Sequence, residues 1–154
     1  MIYRRQEFKR AIAFVFVTYL ILSRSSFLAP AAAFACSCDD KEDLAGSLEK
    51  AAIVFVGQVK AKGSNPLRKD QSEVRFTVNR KLKGFDEVPG NSVLIYTPVD
   101  FEYCGYKFQE GLDYLVFATG TPAHFQTTSC SRTEILDKVL TDVHKLIRMT
   151  GGSE

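Results

Sequence analysis

The pentapeptide Phe34-Ala-Cys-Ser-Cys38 most narrows what this chain can become. Two of only four cysteines stand one residue apart, directly after an apolar run. The other two, Cys104 and Cys130, lie far downstream. Cys36 and Cys38 are too close to bridge each other without straining a very small ring. Of the three pairings four cysteines allow, the two that remain both tie residues 36 and 38 to Cys104 and Cys130. A structural zinc site is the competing use of four cysteines. C-x-C is poor spacing for it, no C-x-x-C is present, and neither His124 nor His144 is spaced as a co-ligand.

What precedes the pair sets its compartment. Residues 1–10 carry Arg4, Arg5, Lys9 and Arg10 against a single Glu7. Residues 11–23 are apolar, and small residues follow up to Ala33 and Ala35. A basic start, a short apolar centre and an A-x-A end form the pattern of a secretory signal peptide over residues 1–35, with cleavage before Cys36. The apolar run falls short of the ~20 residues a spanning helix needs, and Arg24 ends it. Ala33 and Phe34 fit poorly the positions that precede a lipid-modified cysteine. The expectation is therefore a secreted protein, extracellular or periplasmic, with no stable membrane span after cleavage and with paired cysteines.

Residues 36–154 form one domain of 119 residues, large enough for a core and small enough to gain from cross-links. The first 35 residues hold five of the 20 Lys/Arg and one of the 18 Asp/Glu. That leaves 15 cations and 17 anions, a net charge of −2, so a nucleic-acid partner has little electrostatic support. The basic cluster Arg80, Lys81 and Lys83 reads as a solvated strand end.

The pattern beyond the leader is mainly β. Residues 51–61 are rich in Val, Ile and Phe, and Gly57 inside that run marks a bulge or a close backbone approach. Residues 72–82 alternate, with Val74, Phe76 and Val78 on one face. Residues 92–97 and 113–119 are further strands, and a short one falls near 124–128. Helices are expected over 41–51 and, behind a capping box at Ser131 and Glu134, from Ile135 to about Gly151. Five strands with outer helices point to a five-stranded OB-type Greek-key barrel with a long C-terminal helix, in preference to a jelly roll or an immunoglobulin-like sandwich. Nothing resembles paired catalytic carboxylates, a phosphate-binding glycine loop or a Cys/His nucleophile pair, so the expectation is a protein that is not an enzyme and has no cofactor of its own. His124 and His144 read as surface or helix residues, Tyr106 as a ring packed on the barrel, and Pro98 and Gly105 as turn formers.

Several stretches together resemble one family. C-S-C at the expected mature start, K-L-K-G-F at 81–85, I-Y-T-P-V-D-F-E-Y-C-G-Y-K-F at 95–108, G-L-D-Y-L-V-F-A at 111–118 and T-T-S-C-S-R-T at 127–133 are similar, in order and spacing, to the netrin-like inhibitory domain of tissue inhibitors of metalloproteinases. The resemblance runs from Cys36 to about Thr133. The chain has four cysteines where typical members have six in this domain, and a helix where they have a disulfide-rich C-terminal domain; this single-domain, four-cysteine form resembles the shorter bacterial relatives. The resemblance implies an OB-type barrel and the pairs Cys36–Cys104 and Cys38–Cys130. It implies that the free α-amino group and carbonyl oxygen of Cys36 chelate the zinc of a partner metalloendopeptidase. Ser37 would point into the protease specificity pocket, and Glu102, Tyr103, Cys104 and Gly105 would form the adjoining ridge. Asp39 and Asp40, where animal inhibitors carry apolar residues and prolines, would lie along the protease cleft. The other reading is a netrin-like protein-binding module of the cell exterior that does not touch zinc.

Overall fold

A computed structural model of the chain describes residues 36–38 and 43–151. The expected leader, residues 1–35, lies outside the described residues, as do Asp39 and Asp40. The described part runs α1 (Leu44–Lys50), β1 (Ile53–Ser64), β2 (Gln71–Lys83), β3 (Ser92–Pro98), β4 (Asp113–Thr121), β5 (His124–Gln126), β6 (Glu134–Ile135) and α2 (Leu140–Thr150). Single helical turns at Phe101–Tyr103 and Leu136–Lys138 complete it.

Strand β1 closes the structure. It pairs antiparallel with β2 along one edge and with β4 along the other. β2 pairs with β3, β3 runs parallel to β5, and β5 turns back onto β4. The ring β1-β2-β3-β5-β4-β1 is a closed five-stranded OB-type barrel, with β6 added to β4 as a short sixth strand. Closure removes the unpaired edges that would otherwise template aggregation.

The continuous apolar run Ile53-Val54-Phe55-Val56 follows from this position, because both faces of β1 are covered. Ile53 and Phe55 point into the barrel; Val54 and Val56 point out, under the helices. β4 does the same, with Tyr114, Val116 and Ala118 inside and Leu115 and Phe117 outside. Phe76 sits at the centre of the inner core. Phe55, Phe108 and Tyr114 meet it edge to face, at ring-centroid distances of 5.4, 5.2 and 6.4 Å. The buried Tyr114 hydroxyl accepts a bond from the Gln109 backbone N–H at 2.9 Å, so no polar group is stranded there.

The β1–β2 ladder is long and interrupted by bulges. Its register shifts between Val54 and Phe55, between Val56 and Gly57, and between Val59 and Ala61. A one-residue shift moves a side chain to the other face. Leu82, unpaired between Lys81 and Lys83, thereby joins the outer core. Gly57 is required at the second shift, since a Cβ there would stand 2.7 Å from the Thr77 carbonyl oxygen.

Two expectations are corrected. The capping box at Ser131 and Glu134 does not form, and the last helix begins at Leu140. The Ser131 hydroxyl donates to the Thr128 carbonyl and accepts from the Thr133 N–H, while residues 134–135 pair with β4. Recruitment into the barrel wall wins over local helix propensity. The helix ends as expected, at Gly151 in the left-handed region. Second, Lys83 is not a solvated strand end. Its ammonium donates to the carbonyls of Leu48, Glu49 and Ala51 at 2.7, 2.9 and 2.7 Å, closing the C-terminal end of α1. Lys83→Met keeps the stem and removes these bonds. The expected loss is about 1–3 kcal/mol, read as a lower urea midpoint with an unchanged slope in the oxidised protein.

Candidate functional site

The stapled edge at Cys36 is built by three segments: residues 36–38, the ridge at 99–105 and the loop at 127–133. Both bridges named by the resemblance are present, Cys36–Cys104 and Cys38–Cys130, with Cα separations of 5.0 and 5.3 Å. The loops they close span 68 and 92 residues. Loss of chain entropy in the unfolded state corresponds to about 4.5 kcal/mol for either bridge taken alone in the simplest loop-closure treatment.

The two bridges touch each other. Cys36 Sγ lies 3.5 Å from Cys130 Sγ, and Cys130 Sγ lies 3.6 Å from Cys104 Sγ. The sulfurs of Cys36, Cys38 and Cys130 are close enough together to resemble a metal cluster, but all three are in disulfides. A sulfur held in a disulfide cannot ionise to the thiolate that serves as a metal ligand.

The ridge is held against the barrel by backbone bonds. Tyr103 N–H and Gly105 N–H both donate to the Asp100 carbonyl, at 3.2 and 3.1 Å. Val99 N–H donates to the Asp70 carbonyl, and Ser129 N–H to the Cys104 carbonyl at 2.8 Å. Cys104 itself is in the left-handed region, with φ of 60°, the one non-glycine there among the described residues. For a residue with a Cβ this costs about 1–2 kcal/mol; the bridge to Cys36 and the bond from Ser129 offset it. Gly105 serves a close approach, because a Cβ would overlap the Pro98 carbonyl oxygen and crowd that of Asp100. Ser37, Glu102 and Tyr103 are exposed, and Tyr103 keeps 71% of its surface. The structure thus brings together Cys36, Ser37, Cys38, Glu102, Tyr103, Cys104, Gly105 and Cys130 around one edge. Asp39 lies outside the described residues.

A hydroxyl network underneath was not anticipated from the sequence. Thr127 and Thr133, both buried, place their Oγ1 atoms 2.9 Å apart. Both donate to the Phe117 carbonyl, at 2.8 and 3.2 Å, and Thr133 Oγ1 accepts from the Phe117 N–H at 3.0 Å. Thr127 N–H reaches the Tyr96 carbonyl. This anchors the Cys130 loop to β3 and β4, and explains the run of hydroxyl residues in T-T-S-C-S-R-T. Thr97, buried at the end of β3, likewise accepts the Tyr106 N–H on its hydroxyl at 2.8 Å. Its place in the inward series Val93, Ile95, Thr97 was the available signal.

Tyr106 packs on the inner core and its hydroxyl donates to Glu134 at 3.4 Å. Burial, and then the Glu134 carboxylate, push its pKa well above the ordinary phenol value, so it stays a neutral donor. His124 stacks on Tyr96 at 4.3 Å, and His144 is exposed on α2. Behind residues 37–38 opens a cleft of about 570 Å³, floored by Ala51, Pro98 and Phe117. Gln71 Oε1 is buried at its wall without a hydrogen-bond partner among the described residues.

Gly105→Ala tests how firmly the ridge is seated. The added methyl forces the backbone away from Pro98, and the expected loss is about 2 kcal/mol or more. Thr133→Val, of equal shape, removes a buried hydroxyl that bonds Phe117 twice; about 1–3 kcal/mol is expected. Urea denaturation of the oxidised variants measures both.

A scan against protein-family models and a search of curated proteins find no match to this chain.

Proposed function

We propose that the chain is an exported inhibitor of zinc metalloendopeptidases, acting through the α-amino group and carbonyl oxygen of Cys36. The observation that carries this reading is the double staple. Cys36 and Cys38 are each bridged to a different loop, and Ser37 is left exposed between them beside an exposed ridge. Chain termini ordinarily fray. With cleavage before Cys36 the new terminus would be tied at its first and third residues, and such preorganisation removes part of the ordering cost of binding.

The chemistry is consistent with this arrangement. A catalytic zinc keeps one position open for water. An amine and a carbonyl on the same residue form a five-membered chelate that displaces that water. The sulfur of Cys36 takes no part, since it is held in a disulfide. An α-amino group titrates at roughly 7.7–8.0, so giving up its proton to bind metal costs little near neutral pH. Ser37 would enter the specificity pocket, with Glu102, Tyr103 and Gly105 beside it. Two disulfides fit an oxidising compartment. Among the described residues no helix is long and apolar enough to cross a membrane.

The second reading, a protein-binding module that leaves zinc alone, draws on the cleft behind residues 37–38. Its volume, about 570 Å³, lies within the usual range for ligand sites.

Adding one Ala before Cys36 separates the two. The nitrogen becomes an amide without a lone pair to donate, while barrel and bridges remain. Titration of an active zinc endopeptidase with the processed and the Ala-extended forms is expected to show at least about a hundredfold weaker inhibition, near 3 kcal/mol. Equal inhibition by both forms rules out chelation. No inhibition by either favours the binding module. Ser37→Gly is expected to weaken inhibition by about 1 kcal/mol without affecting unfolding; unchanged inhibition constants across sensitive proteases would make Ser37 a spacer.

A further inference from the structure

The cleft behind residues 37–38 carries hydrogen-bonding side chains that neither the cores nor the staple use. Gln71, Ser47, Thr119 and Gln126 stand around its floor of Ala51, Pro98 and Phe117. None of those four side chains has a hydrogen-bond partner among the described residues. For Thr119 and Gln126, which are exposed, water fills that role. Gln71 is different. Its Oε1 is buried, the one such side-chain atom without a partner among the described residues. A buried carbonyl oxygen without a donor costs free energy. The last torsion of a glutamine is soft, so a turn of the amide brings this oxygen to the cleft that Gln71 lines. A ligand with a donor at that point relieves the cost.

We propose that this cleft is a binding site for a neutral N-acetylated saccharide, with Gln71 accepting the acetamido N–H. The site uses the cleft on which the second reading draws, with a different occupant, and it does not depend on zinc chelation at Cys36.

Three features select this class. The first is the placement of the polar groups. Gln71 stands opposite Pro98 in the antiparallel β2–β3 pair, and Thr119 opposite Gln126 in the β4–β5 pair. Opposite residues hold their side chains on one face, with Cβ atoms ~4.5–5.5 Å apart. An acetamido group therefore meets an acceptor for its N–H beside an apolar seat for its methyl, on Pro98 and Phe117. The Thr119 hydroxyl and Gln126 amide, side by side, both donate and accept, as the ring hydroxyls of a sugar do. The second feature is charge. Among the described lining residues there is no carboxylate; the charged ones are Lys50 and Arg132, and Arg132 pairs with Asp142 at 3.2 Å. An organic cation is disfavoured there. The third is the absence of a strand edge. β3 lies between β2 and β5, and β4 is paired with β1 on one side and with β5 and β6 on the other. A peptide cannot add to these strands through its main chain, so recognition falls to side chains.

The test titrates the folded, oxidised protein with N,N′-diacetylchitobiose and follows backbone amide resonances by NMR. Cellobiose, with the same linkage and no acetamido group, is the comparison sugar, and N-acetyl-Ala-Leu-Ala-amide is the peptide probe. Saturable shifts are expected at Gln71, Thr119 and Gln126, with cellobiose bound at least about tenfold more weakly, since a site built around a donor rejects an analogue that lacks it. Gln71→Met keeps the length and removes the acceptor. It should weaken diacetylchitobiose by about tenfold or more without lowering the urea midpoint, because the lost oxygen had no partner to lose. Thr119→Val, on the exposed rim, should weaken the sugar as well. A lowered midpoint in Gln71→Met with unchanged affinity would make Gln71 structural and overturn the proposal. So would the absence of saturable shifts, shifts confined to residues outside the cleft, equal binding of cellobiose, unchanged affinity in both variants, or tighter binding of the peptide in the cleft.

Discussion

Strand β1 is the constraint on which the other elements depend. It is the only described strand hydrogen-bonded to both β2 and β4 along its length, and those pairings turn an open sheet into a barrel. Because both its faces are buried, it supplies side chains to two cores at once. The inner core is aromatic, centred on Phe76, and needs no helix. The outer core, around Val54, Leu115, Phe117 and Leu146, exists only because the helices lie across the same strands. Lys83 joins the two layers chemically: its backbone belongs to β2, and its ammonium closes the end of α1.

The edge at Cys36 is held in place for a different reason. Little apolar burial is available to residues 36–38, which are exposed or half-buried. Their position is fixed instead by two covalent bonds, and each bond reaches a loop that the barrel holds by its own polar contacts. One loop is held through Asp100, Pro98 and Thr97, the other through the hydroxyls of Thr127 and Thr133 on Phe117. Buried hydroxyls cost free energy unless satisfied, and here each has a partner. Order therefore passes from the barrel wall to the loops, and from the loops to residues 36–38.

The left-handed Cys104 shows how these layers meet. A non-glycine residue at φ of 60° stays there only when its surroundings over-determine it. Its sulfur is bonded to Cys36 and touches Cys130, and its carbonyl accepts from Ser129. One strained backbone position thus joins the ridge, the 127–133 loop and the N-terminal segment. The exposed ring and carboxylate beside it, Tyr103 and Glu102, are presented next to this junction.

The sequence by itself determined the strands, because period-two alternation and doubly buried runs are local patterns: 72–82, 92–97 and 113–119 appear within a few residues of their expected bounds. It also determined the bulge at Gly57, the stop at Gly151 and the tying of residues 36 and 38 to the two distant cysteines. Residues alone left the pairing of those cysteines open; only the resemblance singled out one. Tertiary structure decided the rest. Ser131 and Glu134 fit a helix start locally, yet β4 offers residues 134–135 a pairing that the local pattern does not contain. Lys83 looked solvated because its three carbonyl partners lie more than 30 residues away in sequence. The need for glycine at 105 comes from the Pro98 carbonyl across a turn, and the contact between the bridges from the meeting of three separate segments. Periodicity reports which face a residue turns to its own element's neighbours; it carries no record of which distant backbone atom will lie within bonding distance once the barrel closes.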